Sequence, residues 1–114
     1  MPRIPLKPHS TNRLYRGRRW KTPEATAFEK SFQTLLLIHL PRPVIPEGDL
    51  TIHWQFGIAR RMDVTNCIKL AEDVLATHCG FNDNRVRKTI AVKHIVPKGQ
   101  EFIDFEITAY QHDA

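Results

Sequence analysis

The chain has 114 residues, 41% of them hydrophobic, and a formal net charge of +5. That length supports one domain around a single modest core, and no apolar run nears the roughly 20 residues a helical membrane span requires. The basic excess is concentrated in residues 1–23, where Arg3, Lys7, Arg13, Arg16, Arg18, Arg19 and Lys21 stand without an acid, a distribution that points to a polyanionic partner, nucleic acid first.

Residues 1–21 form a basic, proline-rich segment, in which Pro2, Pro5 and Pro8 leave room for at most a short edge strand around Ile4 to Lys7. Tyr15 and Trp20 within it offer faces on which bases stack. Thr22-Pro23-Glu24 then reads as a helix start, with a capping hydroxyl, a proline at the first position and an acid near the positive end of the macrodipole. Phe28, Phe32, Leu35, Leu36 and His39 follow at helical spacing, until Pro41, Pro43 and Pro46 end the helix. From Asp49 the period changes to two: Leu50, Ile52, Trp54 and Phe56 share one face of a strand, and Thr51, His53 and Gln55 the other.

A second helix is expected from about Val64 to His78, opened by Asp63 and terminated at Gly80. Val64, Cys67, Ile68, Ala71, Val74, Leu75 and His78 make its apolar stripe. A strand from Arg85 to Val96 follows, with Val86, Ile90, Val92 and Val96 expected inward and Arg85, Arg87, Thr89 and Lys93 outward. After the turn Pro97-Lys98-Gly99-Gln100, a last strand from Glu101 to Tyr110 should bury Ile103, Phe105, Ile107 and Ala109, the two strands reading as a hairpin. The order β-α-β-α-β-β predicts an α+β fold, a single domain over 1–114 with two helices on one face of a mixed, largely antiparallel sheet of about four strands.

Several chemistries lack their signatures. Cys67 and Cys79 lie on or near one helix face and read as buried thiols rather than a disulfide. The histidines and cysteines do not make a zinc pattern, and neither a glycine-rich phosphate loop nor a nucleophile elbow is present. The first 25 residues contain no apolar core of a signal peptide, which leads to the expectation of a cytoplasmic protein.

The polar side of the second helix is the informative part. Asn66, Lys69 and Asp73 fall within about 60° of one another, opposite the apolar stripe. Arg60-Arg61 precede Asp63, and the loop Phe81-Asn82-Asp83-Asn84 leads back into Arg85, Arg87 and Lys88. Carboxylates embedded in a basic surface repel phosphate. A divalent cation resolves that conflict, because Mg²⁺ held by one or two carboxylates bridges protein to phosphate and activates water. The arrangement favours a nuclease over a passive binding patch.

The run Arg60-Arg61-x-Asp63-x-x-Asn66-x-x-Lys69-x-x-x-Asp73-x-Leu75, followed by Gly80-Phe81 and Asp83-x-x-Val86, resembles the signature of the RusA family of Holliday junction resolvases. Ser10-Thr11-Asn12-Arg13-Leu14-Tyr15-Arg16 is similar to that family's N-terminal motif. The resemblance implies a homodimeric endodeoxyribonuclease, dependent on Mg²⁺ or Mn²⁺, that resolves four-way DNA junctions by paired symmetrical nicks in recombination and repair. It further implies that Asp63 and Asp83 ligate the metal, that Lys69 is catalytic, and that Asn66 and Asp73 orient the site. Arg13, Arg16, Arg18, Arg19, Arg60, Arg61, Arg85 and Arg87 become candidates for phosphate contacts, which position DNA without reading its sequence.

Two departures stand out. The family's acid-x-acid-Asn pattern is here Asp63-Val64-Thr65-Asn66, and its paired acids in the following loop are Asn82-Asp83. Thr65 could still hold a metal-bound water through its hydroxyl. A helix from Val64 to His78 is about 21 Å long, which separates Asp63 from Asp83. Either the link from His78 to Asp83 runs back along the helix, or a two-fold sets second helices antiparallel and each site takes Asp63 from one chain and Asp83 from the other. The rival function is a branched-DNA-binding protein that cuts poorly or not at all.

Overall fold

The computed structural model describes residues 3–9, 15–16, 20–59 and 61–112, with Tyr15, Arg16, Trp20 and Lys21 described by their backbone alone. The first helix, α1 (Pro23–His39), starts where the sequence predicts: Thr22 Oγ1 accepts from the Ala25 amide at 3.2 Å, with proline in the first turn and Glu24 behind it. Ala25, Phe28, Phe32 and Leu36 form its buried stripe. His39, assigned to that stripe by spacing, is exposed together with Leu37 and Ile38, because the last turn extends past the core.

The sheet is built around β4 (Leu50–Ile58), whose Leu50, Ile52, Trp54, Phe56 and Ile58 are each no more than 2% exposed. Trp54 and Phe56 are therefore core residues, not base-stacking groups. To one side lies β6 (Phe102–Ala109), antiparallel to β4, and beyond it β1 (Arg3–Ile4), antiparallel to β6. To the other side lies β5 (Val86–Ile95), parallel to β4 and reached through α2 (Thr65–Cys79). A parallel neighbour needs such a crossover, since a tight turn reverses the chain. The order β1-β6-β4-β5 makes a mixed sheet whose buried face shares one core with both helices, the α+β class expected. Among the described residues a second, two-stranded sheet joins β2 (Tyr15–Arg16) to β3 (Trp20–Lys21), a pairing the sequence did not suggest.

Two expectations for the C-terminal strands need correction. The turn at 97–100 forms, with Gln100 donating to the Pro97 carbonyl at 3.0 Å and Gly99 at φ 94°, but β5 and β6 are not hairpin neighbours. The connection passes the end of β4, where the Val96 amide donates to Ile58 at 3.1 Å, and β4 separates the two strands. Ile90 and Val92, expected inward, point to the face away from the helices: they stand opposite His53 and Gln55 of β4, not its buried row. The cause is a register shift between Leu50 and Thr51, where Val86 pairs with Leu50 but Lys88 pairs with Thr51. One extra residue in one strand carries all later side chains to the opposite face.

On that outer face Phe102 lies across Gly57, where a Cβ would sit 2.3 Å from the Phe102 ring. Arg3 covers the ring at 3.8 Å and pairs with Asp104 at 3.2 Å, which ties β1 to the sheet. No helix among the described residues is long and apolar enough to cross a membrane. Cys67 and Cys79 are free thiols, each pushed up to about 11 by burial.

Candidate active site

The start of α2 differs from that of α1. Its N-cap is Val64, without a side-chain cap, and the first turn closes on backbone carbonyls: Asn66 N donates to Asp63 O and Cys67 N to Val64 O, both at 3.0 Å. Asp63, which precedes the helix, thus does not cap it. Its side chain is exposed, near the positive end of the helix dipole. Thr65 is exposed on the first turn and Asn66 partly buried.

The other end of α2 is closed firmly. Gly80 takes the left-handed conformation at φ 74° and donates to Ala76 at 2.9 Å, and the Phe81 amide reaches the same carbonyl at 3.1 Å. That geometry favours glycine, and an apolar residue after it seals the helix end. Phe81, 7% exposed, does so. Asn82 Oδ1 then accepts from the Asn84 amide at 3.0 Å and opens a short 3-10 turn over Asp83–Arg85. Arg85 anchors the far side, donating to the carbonyls of Gly48, at 2.8 Å, and Pro46.

These contacts hold Asp83 beside Asp73. Both line an open cleft of about 340 Å³ with Ala76, Thr77, Phe81 and Asn82. Lys69 stands one turn before Asp73, its ammonium 4.0 Å from the carboxylate, with both groups largely exposed. At that exposure the pair contributes a few tenths of a kcal/mol and leaves the ammonium available.

Sequence reasoning passed over Glu72. Half-buried, it lies beside Thr89 of β5, which favours its charged form, while its Oε1 is shut away from solvent with no partner. Its carboxyl is held above the ordinary range by burial first, then by the charges of Asp73 and Asp83, with Lys69 opposing. The signal was an acid at the border of the apolar stripe, 40° from Ile68 on an ideal helix of about 100° per residue.

Asp73, Asp83, Lys69 and Glu72 are therefore brought together, with Thr65 one turn before Lys69 on the same helix and Asp63, ten residues before Asp73, about 15 Å from it along the helix axis. Of the expected phosphate contacts, Arg61 and Arg87 are exposed. Arg87 also pairs with Asp49 at 3.1 Å. Arg85 is committed to the backbone carbonyls. Arg13, Arg18, Arg19 and Arg60, and the side chain of Arg16, lie outside the described residues.

The carboxylates fit a hydrated hard cation. Two on one open cleft match the way Mg²⁺ is held, with water filling most of its shell. Among the described residues no group of three or more His, Cys, Asp or Glu side chains could enclose a metal within one chain. No protein-family model matches the chain, and no curated protein matches it.

Proposed function

We propose that the protein is a metal-dependent, structure-specific endodeoxyribonuclease of the RusA type, acting as a homodimer on four-way DNA junctions. The observation that carries this reading is the cleft at the end of α2, where Asp73 and Asp83 face solvent beside Lys69 on a chain of net charge +5. Carboxylates grouped within a basic protein are unfavourable for phosphate unless a cation lies between them.

Asp83 and Asp73 would hold Mg²⁺ or Mn²⁺, which supplies charge neutralisation and a more acidic water. Lys69 places a positive charge where the phosphate gains negative charge. Asn66 and Thr65 line the same helix nearer its start, with a hydroxyl where the family pattern carries an acid. Arg61 and Arg87 hold backbone phosphates and set the register of the junction. Asp63 lies about 15 Å along α2 from the cleft of Asp73 and Asp83, so a site using both Asp63 and Asp83 would draw one from each of two chains.

The rival reading, a protein that binds branched DNA without cutting it, is favoured by Thr65 and by the distance of Asp63 from the cleft. A synthetic four-way junction and a matched duplex, each incubated with Mg²⁺ or EDTA, separate the two. The nuclease nicks the junction only with Mg²⁺ and loses this in Asp83→Asn while still binding. Tight junction binding with no nicks in Mg²⁺ would overturn the enzyme assignment. Mixing Asp63→Asn with Asp83→Asn chains tests sharing: activity returns in the mixture if each site draws on both chains.

A further inference from the structure

The unpaired side of β5 is an unusual edge. The strand runs ten residues and pairs with β4 from Leu50 to Ile58, and among the described residues no strand pairs with its other side. Long edges that persist in soluble proteins are short-cut, covered or studded with charge, because their free amides and carbonyls recruit further strands. Here the register shift places Ile90 and Val92 on the outer face, 37% and 39% exposed, with Ala91 between them on the helix side. On that helix side stand Thr89, beside Glu72, and Lys93, whose ammonium donates to the Met62 carbonyl at 3.2 Å.

We propose that β5 pairs antiparallel with β5 of a second copy of this chain about a two-fold at Ala91, joining the sheets and setting the partner's Lys93 against Glu72. This deepens the two-copy part of the reading above. Residues facing each other in an antiparallel pair share a face, so a two-fold at Ala91 matches Ile90 with the partner's Val92, twice, and closes the exposed apolar row. It also faces Thr89 with the partner's Lys93, and an ammonium has three donors, two of them unused by Met62. The buried Glu72 Oε1 thereby gains the hydrogen-bond partner it lacks within one chain.

Neighbouring registers do worse. A two-fold at Ile90 opposes Arg87 to the partner's Lys93, and one at Val92 opposes Ile90 to His94, whereas the register at Ala91 sets Lys88 opposite His94 only outside the matched apolar row. Like or polar groups directly opposite weaken a pair. The axis stands normal to the sheet, so both α2 helices lie on one side and run antiparallel. Each Asp63 then stands at the same end of the paired strands as the acidic cleft of the other chain.

Sedimentation and light scattering of the intact protein, without DNA or metal, should give the mass of two 13.2 kDa chains. Ile90→Asp and Val92→Asp should halve it with the circular dichroism unchanged. Ala91→Cys should form an interchain disulfide on mild oxidation, since facing Cα atoms lie about 4.5–5.5 Å apart, within disulfide reach. Lys88→Cys should not, its two copies being about 20 Å apart along the paired strands. Glu72→Lys and Lys93→Glu should each weaken the dimer, and the double exchange should restore it. A monomeric wild type, a dimer that survives folded Val92→Asp, or a dimer in which Ala91→Cys fails to cross-link would each overturn the interface. Because neither DNA nor Mg²⁺ is present, a dimer without nuclease activity and a nuclease without this interface are told apart.

Discussion

The two helices solve the same local problem in different ways. In α1 the polar residues at the start are consumed by the fold: Thr22 caps, Pro23 and Glu24 occupy the first turn, and Phe28, Phe32 and Leu36 fill the core. In α2 the first turn closes on main-chain carbonyls, and Asp63, Thr65, Lys69 and Asp73 remain at the surface or partly exposed. A polar residue that the fold does not use is a better guide to chemistry than a polar residue as such. That contrast separates two helices that the sequence presents as equivalents.

The strongest break of the contrast is Phe32→Ala, which empties a fully buried position in α1 and should cost about 3–5 kcal/mol in urea unfolding. Asp83→Asn at the end of α2 should do the reverse, lowering Mg²⁺-dependent nicking by about 10²-fold or more while the melting temperature moves by only a few degrees. The caps sharpen the point: Thr22→Ala should lose about 1 kcal/mol, whereas Asp63→Ala, at the nominally similar position, should lose only a few tenths of a kcal/mol, from the helix dipole alone, in the same titration.

Glu72 gives a test in pH. Its carboxyl sits above the ordinary range in the folded chain, so folding is favoured below the unfolded value and that advantage is lost as pH rises through the folded value. In the Val92→Asp background, which keeps the partner away, Glu72→Gln should raise the melting temperature at pH 7 and have little effect at pH 4. The smallest effect belongs to the exposed Lys69–Asp73 pair, whose double-mutant coupling should be about 0.3 kcal/mol and vanish in high salt.

Features set by neighbours in sequence were readable from it. The Thr22 cap, the stripe of α1, the alternation of β4, the glycine stop of α2 and the burial of Ile103 and Phe105 each depend on a few adjacent residues. What failed depends on partners far along the chain. The alternation in β5 was real, but one register shift against β4 decided which face it served. The turn at 97–100 was real too, yet turn residues cannot say that a third strand will lie between the two they connect. The two-residue strands β2 and β3 are too short to carry a period. At the site, spacing placed Lys69 and Asp73 together correctly, but grouping Asp83 with them required the turn at Gly80, and Glu72 became visible only through Thr89 on a strand 17 positions later.

The tie between Arg3 and Asp104, with Ile4 beside Ile103, has a consequence for how the chain is made. Synthesis proceeds from the amino end, so the first strand emerges long before the one it will join. The sheet therefore finishes at its beginning: β1 waits through the making of both helices and every other strand, and docks only when β6 has been released from the ribosome.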